Sequence, residues 1–162
     1  MPKLHGFNKK ELLDVYRKMI IARRLDEKMM TLIKQGKSFF HIACSGHEAA
    51  QLAAATNLKP SKDHLLNFLA RKDDKASGGR QLPQHFGDKD LRIVSQSSST
   101  GTQFLNAVGS ALTRKWEGQK EVVYVSSGEG ATSQGEFHEA LNWASREKLP
   151  VIFHIEDNEY AI

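Results

Sequence analysis

Residues 121–162, with the sequence EVVYVSSGEGATSQGEFHEALNWASREKLPVIFHIEDNEYAI, decide the fold of this chain. The apolar run at 122–125 predicts a buried strand, and the run at 151–155 predicts a second one. Between them, the stretch after the GEG turn predicts a helix to about residue 148, where a nearby proline ends it. A strand–helix–strand unit of this length places two parallel strands side by side. The sequence therefore predicts an α/β fold with a parallel sheet and helices on both of its faces.

Polar residues collect where the two predicted strands end. Glu129 stands between Gly128 and Gly130 after the first strand. Asn158 and Tyr160 follow the second strand, and parallel strands end at the same edge of a sheet, where open α/β sheets bind ligands. We expect the glycines to allow a tight turn and the following helix to direct its free N–H groups at an anion. A carboxylate, an amide oxygen and a backbone carbonyl form an oxygen-only set that suits Mg²⁺ or Ca²⁺ rather than zinc.

The segment at 128–162 resembles the thiamine diphosphate motif of the 2-oxo acid dehydrogenases, in particular the alpha-type subunit of their first component. By that resemblance, Glu129, Asn158 and the carbonyl of Tyr160 are the ligands of Mg²⁺. A glutamate between the two glycines, where many relatives have aspartate, resembles the branched-chain group. The resemblance implies an incomplete thiamine diphosphate-binding fold. The residues that it places at the cofactor in this segment are Gly128, Gly130 and Ala131.

A serine-rich loop at 97–103, SSSTGTQ, resembles a second cofactor-contacting segment of the family. By that match, Ser98 and the backbone of Thr100 are candidates for cofactor contact. In branched-chain relatives the same loop holds K⁺, which makes three residues candidates for a monovalent ion: Ser97, Thr102 and Gln103. A loop that only caps the following helix is the alternative interpretation.

The loop GGRQLPQHFG at 78–87 resembles a branched-chain-type loop near the active site of the family. Arg80 is a candidate contact for a phosphate or carboxylate, and His85 is a candidate for a catalytic imidazole. Because functional residues concentrate in loops that are otherwise mostly solvated, a surface position is an open alternative for both residues.

The N-terminal part of the chain predicts helices. The apolar spacing over 8–35 indicates a long helix, with Asn8 and Glu11 forming a capping box at its start. A second helix is expected at 47–57, opened by a Gly-His-Glu-Ala turn that also resembles the family. We expect residues 1–162 to form a single domain in which residues 1–36 are a helical extension.

Further along, a short strand is predicted at 92–94, and a helix follows the serine-rich loop to about residue 116. Relatives carry a longer segment near Asp63 and His64, including a Tyr-Arg pair that contacts the cofactor diphosphate. This chain has no such pair there, and it therefore resembles an internally shortened member of the family.

The composition narrows the function classes. The chain has 162 residues, of which 40% are hydrophobic and 26% charged, enough for one compact core. No apolar run approaches the roughly twenty residues that span a bilayer. The net charge of +4 is scattered without interleaved aromatic residues, so neither membrane nor nucleic-acid binding is expected. The single Cys44 excludes an internal disulfide, and no signal peptide opens the sequence, which favours a cytoplasmic location.

The resemblance also implies an activity and its partners. The activity is thiamine diphosphate- and Mg²⁺-dependent oxidative decarboxylation of a branched-chain 2-oxo acid or pyruvate, with acyl transfer to a lipoyl group. The implied partners are a beta-type subunit or a fused beta half, and a lipoyl-bearing acyltransferase. Since the glutamate that activates the cofactor comes from the beta part, we expect this chain to be inactive alone. Exposed apolar surface predicts self-association into an oligomer.

Two other function classes stay open. A strand–GxG–helix unit also opens nucleotide and S-adenosylmethionine sites of Rossmann-like domains, with Glu156 or Asp157 in the place of the ribose-binding acid. A non-catalytic structural or engineered fragment that keeps the fold and binds little is the second alternative.

Overall fold

The computed structural model describes residues 7–41, 43–55, 73–74, 77–82, 85, 87–90 and 92–160. The chain divides into two compact units, an N-terminal unit (Met1–Ser95) and a C-terminal unit (Gln96–Ile162). The single domain expected over 1–162 stays a prediction. The proposed shortening near Asp63 and His64 lies outside the described residues.

The first helix, α1 (Lys9–Lys34), is confirmed together with its capping box. The backbone N–H of Glu11 donates to Asn8 Oδ1 at 3.0 Å, and the backbone N–H of Asn8 donates to Glu11 Oε2 at 2.7 Å. Past the end of the helix, Gly36 has φ of +67°, and its amide and the next one donate back to carbonyls of the last turn. A glycine suits this left-handed position because it has no Cβ to clash.

The segment between α1 and the second helix, α2 (Glu48–Ala55), is held by a buried carboxylate. Asp26 of α1 is 8% exposed. It accepts hydrogen bonds from Ser45 Oγ at 2.7 Å and from the backbone N–H of Cys44 at 3.1 Å, and His41 Nε2 lies 2.8 Å from its Oδ1. Burial raises the pKa of Asp26, but these hydrogen bonds lower it further, so the net shift is downward.

The strand predicted at 92–94 is wrong. An isolated antiparallel bridge joins Asp88 and Ile93, each donating its N–H to the other's carbonyl at 2.8 Å. Arg92 lies in the turn between them and has φ of +56°. A residue in the left-handed region cannot continue an extended strand, so the backbone turns here instead of pairing along a ladder.

The C-terminal unit contains the strand–helix–strand unit that the sequence predicts. In chain order its elements are α3 (Thr102–Trp116), β1 (Val123–Gly128), a 3₁₀ helix (Glu129–Ser133), α4 (Gly135–Arg146) and β2 (Val151–Glu156). β1 and β2 pair in parallel, from Val123 opposite Val151 to Gly128 opposite Glu156. The parallel pairing is therefore confirmed.

The helix predicted directly after the GEG turn begins later than expected. Residues Glu129–Ser133 form a 3₁₀ helix, and Gln134 has an extended backbone, with φ of −79° and ψ of 144°, before α4 begins. Thr132 contributes to the difference, because its Oγ1 donates to the carbonyl of Glu129 at 2.6 Å. Threonine side chains that bond nearby backbone groups compete with regular helix formation.

Alternate residues of β1 and β2 face a core to which α3 and α4 both contribute. Phe104 of α3 is fully buried, and its ring centroid lies 4.9 Å from that of Phe137 and 6.1 Å from that of Phe153. On the opposite face of β2, Ile152 is 53% exposed. The predicted α/β architecture of helices with a parallel sheet is confirmed in an incomplete form, with two paired strands among the described residues.

Candidate functional site

β1 and β2 end at the same edge of the sheet, as the sequence predicts. Gly128 pairs with Glu156 at the last position of the ladder, so Glu129 and Asp157 both follow directly from the same edge of the sheet. The tight glycine turn expected here is not observed. Gly128 has φ of −77° and ψ of 163°, and Gly130 is not among the glycines with positive φ. The backbone at this turn is therefore open to residues other than glycine. The role that stays predicted for Gly128 and Gly130 is to let a ligand approach the backbone closely.

Glu129 is the residue whose surroundings point most directly to a ligand. Its Oε1 is buried and accepts no hydrogen bond from any residue that the structure describes. A buried carboxylate oxygen without a donor or a cation is destabilising. A bound divalent cation would remove this cost, since Mg²⁺ prefers carboxylate oxygens. The donor chemistry at Glu129 therefore fits the predicted metal.

The tip that follows β2 forms a compact exposed turn. Asn158 Oδ1 accepts the backbone N–H of Tyr160 at 2.9 Å, and Asp157 Oδ1 accepts that of Glu159 at 2.9 Å. An amide oxygen has two lone pairs, so the bond to Tyr160 leaves Asn158 able to accept one further partner. Within the described ranges, no group of three or more His, Cys, Asp or Glu residues is arranged to hold a metal. The predicted set is of another kind, with one carboxylate, one amide oxygen and one carbonyl.

The serine-rich loop is attached to the end of β1 by Gln103. The side-chain oxygen of Gln103 accepts the backbone N–H of Gly101 at 3.1 Å, and its side-chain amide donates to Ser127 Oγ at 2.9 Å. Ser127 directly precedes Gly128 in the strand. The structure thus brings the loop that carries Ser98 and Thr100 together with the strand that leads to Glu129.

The three candidates for a monovalent ion already make contacts within this loop. Ser97 Oγ accepts the N–H of Ser99 at 3.2 Å, and Thr102 Oγ1 donates to the carbonyl of Ser99 at 2.8 Å. Gln103 holds Gly101 as described above. These bonds organise the loop internally, and Gly101, the N-cap of α3, makes no side-chain capping bond. Both the capping interpretation and the K⁺ role of Ser97, Thr102 and Gln103 stay predictions.

Arg80 and His85 belong to the N-terminal unit. Arg80 Nε donates to the carbonyl of Ser77 at 2.9 Å, and the backbone N–H of His85 donates to the carbonyl of Leu82 at 3.1 Å. Their loop is organised by Asp74, which is 4% exposed and accepts two hydrogen bonds from Ser77, at 2.7 and 2.9 Å. The roles predicted for Arg80 and His85 stay predictions.

Sequence reasoning missed two residues that organise these regions. Asp74 lies three positions before Ser77, a spacing typical of side-chain-capped turns, and this signal could have identified it. Ser127 lies next to the GEG turn, but no local pattern shows that Gln103, 24 positions earlier, donates to it.

Comparison with known proteins identifies the family. Residues 59–162 match the family described as "Dehydrogenase E1 component". The chain belongs to this family. It is similar to the 2-oxoisovalerate dehydrogenase subunit alpha of Bacillus subtilis (strain 168), with 42% identity over 178 residues that cover 97% of this chain and 54% of that protein.

Two further relatives show the same pattern. The mitochondrial 2-oxoisovalerate dehydrogenase subunit alpha of Dictyostelium discoideum is 30% identical, over 97% of this chain and 40% of that protein. The pyruvate dehydrogenase E1 component subunit alpha of Bacillus subtilis (strain 168) is 32% identical, over 100% of this chain and 46% of that protein. The chain therefore spans about half the length of the curated relatives that it matches.

The alignment with the first of these relatives also bears on the predicted internal shortening. It extends over 178 positions, more than the 162 residues of this chain. The relative consequently contains internal residues without a counterpart here, whereas the predicted position of the shortening, near Asp63 and His64, stays a prediction. Among the described residues, no helix has both the length and the apolar character needed to cross a bilayer.

Proposed function

We propose that this chain is the diphosphate-binding part of an alpha-type 2-oxo acid dehydrogenase subunit and binds thiamine diphosphate together with Mg²⁺. The observation that carries this proposal is the buried Glu129 Oε1 without a hydrogen-bond donor among the described residues, at the carboxyl end of β1. A carboxylate in that position favours a cation as its partner. Membership in the E1 dehydrogenase family supplies the expected cofactor.

The proposed Mg²⁺ ligands are Glu129, Asn158 and the carbonyl of Tyr160. The cofactor would contact the backbone at Gly128, Gly130 and Ala131, together with Ser98 and Thr100 of the serine-rich loop. Ala131 is 4% exposed and belongs to the core, so its contribution to binding would come from its backbone. Arg80 is a further candidate for diphosphate contact, K⁺ is a candidate second ion, and His85 is the candidate catalytic residue.

When bound, thiamine diphosphate supplies the nucleophilic carbon and the electron sink for decarboxylation of a 2-oxo acid. The chain's own residues anchor and orient the diphosphate. The proposed substrate is a branched-chain 2-oxo acid or pyruvate, in keeping with the names of the relatives, and the acyl group would pass to a lipoyl-bearing acyltransferase. The activating glutamate would come from a beta-type partner in a cytoplasmic oligomer, so the chain alone would be inactive.

Calorimetric titration with thiamine diphosphate, with and without Mg²⁺, tests this proposal. We expect binding only in the presence of Mg²⁺. Glu129→Gln keeps the size of the side chain but removes its charge, and should weaken binding about tenfold or more, since each tenfold step corresponds to about 1.4 kcal/mol. The matched control is Glu117→Gln, an exposed position at the end of α3, which should leave binding unchanged.

Three outcomes would overturn the proposal or parts of it. Equal affinity without metal, or in Glu129→Gln, would remove the proposed metal role. An unchanged melting temperature with cofactor and Mg²⁺ would favour the non-catalytic fragment, because a ligand of the native state must raise stability. Turnover of a branched-chain 2-oxo acid by the chain alone would contradict its expected inactivity.

The same titration separates the nucleotide-binding alternative. A dinucleotide fingerprint needs a glycine-rich turn that leads directly into a helix N-terminus. Here Gly130 lies inside a 3₁₀ helix, and an extended Gln134 follows before α4 begins, which disfavours that mode. Metal-free binding of an adenine nucleotide would support the alternative over thiamine diphosphate.

A further inference from the structure

We propose that Gln103 and Ser127 are positioning residues whose side-chain hydrogen bond fixes the loop at 97–101 against the end of β1. This inference rests on the proposed function for its consequence, which is that the pair sets cofactor affinity. The geometry itself is independent of the cofactor.

The first support is the way Gln103 uses both ends of its amide. Its oxygen holds the backbone N–H of Gly101 at 3.1 Å, and its nitrogen donates to Ser127 Oγ at 2.9 Å. Both bonds are partly buried. The next residue, Phe104, is fully buried, so the start of α3 is anchored in the core while Gln103 reaches both the loop and the strand.

A second contact holds the same loop from another side. Gly101 has φ of +97°, and a Cβ placed there would lie 2.9 Å from Cβ of Gln134. The loop backbone therefore packs directly on the connection between the 3₁₀ helix and α4. Gly101 is therefore held both by the hydrogen bond to Gln103 and by its packing against Gln134, next to the strand end that leads to Glu129.

The Gln103–Ser127 hydrogen bond can be removed by a single side-chain substitution that leaves the backbone contacts of Gly101 in place. A hydrogen bond of this kind contributes about 0.5–1.5 kcal/mol net, and a partly buried amide left without an acceptor costs more. Ser127→Ala removes the hydroxyl that accepts this bond, so the side-chain amide of Gln103 loses its acceptor. Ser126 provides a matched control, because it is the preceding residue of the same strand, is exposed and points to the opposite face.

Hydrogen exchange of the Gly101 amide in the cofactor-free chain tests the pair directly. We expect Ser127→Ala to speed this exchange roughly threefold to tenfold relative to the amides of the β1–β2 ladder, as the loss of one hydrogen bond implies. Ser127→Thr should restore the slow exchange, because it keeps the hydroxyl, and Ser126→Ala should have no effect. A Gln103→Leu and Ser127→Ala double variant should exchange no faster than Gln103→Leu.

Titration with thiamine diphosphate and Mg²⁺ gives the second measurement. The affinity should fall in Ser127→Ala, recover in Ser127→Thr and stay unchanged in Ser126→Ala. Unchanged Gly101 exchange in Ser127→Ala would overturn the positioning role, as would a uniform acceleration throughout the ladder, which would mean a general loss of stability. If the unaltered chain bound no cofactor, the proposed function would fail, whereas the exchange data would still decide the role of the pair.

Discussion

The guanidinium Nε of Arg23 lies 2.5 Å from Oε1 of Glu48 and joins α1 to the first turn of α2. Glu48 is 7% exposed, and its second oxygen accepts the backbone N–H of Gly46 at 3.0 Å. The hydrogen bond from Arg23 is the main cause that lowers the pKa of Glu48 from 4.5 to about 2. The same contact raises the pKa of Arg23. Oε1 of Glu48 thus holds α2 to α1, and Oε2 holds the turn that leads into α2.

This ion pair predicts a specific dependence of stability on pH. Because the folded-state pKa of Glu48 lies below its ordinary value, its stabilising contribution is complete above about pH 4.5 and is lost as the pH falls toward about 2. Urea unfolding at several pH values should show a steeper loss of stability in the unaltered chain than in Glu48→Gln. At neutral pH the variant should be the less stable of the two.

The control for this prediction is Asp14→Asn, which breaks an exposed ion pair with Lys18 on the same helix. Exposed pairs of this kind contribute little, so the pH profile of this variant should run parallel to that of the unaltered chain. Identical pH slopes for Glu48→Gln and the unaltered chain would show that Glu48 does not titrate with a lowered pKa.

Two glycines of the C-terminal unit should respond to alanine in opposite directions. Gly101→Ala places a Cβ 2.9 Å from Gln134 Cβ at a residue with φ of +97°, and we expect it to destabilise the chain by about 1–3 kcal/mol. Gly109 lies inside α3, and a Cβ added there would meet no neighbouring group within 4 Å, so Gly109→Ala should stabilise by about 0.5–1 kcal/mol. Chemical denaturation of both variants checks the signs, and a loss of stability in both would contradict the prediction.

Local spacing predicted those parts of the fold that depend on neighbouring residues. Asn8 and Glu11 form the expected capping box because both partners lie within one helical turn. The parallel pairing of β1 and β2 followed from the length of the connection between two apolar runs. In both cases the signal and the structure involve the same short stretch of chain.

Features that depend on residues distant in the chain could not be predicted from local sequence patterns. Asp26 lies within an otherwise amphipathic helix, and its burial becomes visible only through the loop residues that donate to it, 15 to 19 positions later. The 3₁₀ helix after Glu129 reflects a side-chain bond from Thr132, which helical periodicity does not encode. The predicted site follows the same rule. Strand order predicts that Glu129 lies at the edge where β1 and β2 end, whereas only the packed structure shows that its buried Oε1 accepts no hydrogen bond from the described residues.

Phe104 should be the most sensitive core position of the C-terminal unit. It is fully buried, with its ring centroid 4.9 Å from that of Phe137 and 6.1 Å from that of Phe153. Truncation to alanine removes this packing and leaves a cavity, so Phe104→Ala should cost about 3–5 kcal/mol. Because this loss can exceed the stability of a small unit, Phe104→Leu serves as a milder variant that should lose measurably less stability.

The control is Leu105→Ala on the same helix. The side chain of Leu105 is 38% exposed, so the loss of stability in urea unfolding should be less than half that of Phe104→Ala. Equal losses at Phe104 and Leu105 would show that the aromatic cluster is not the centre of the core.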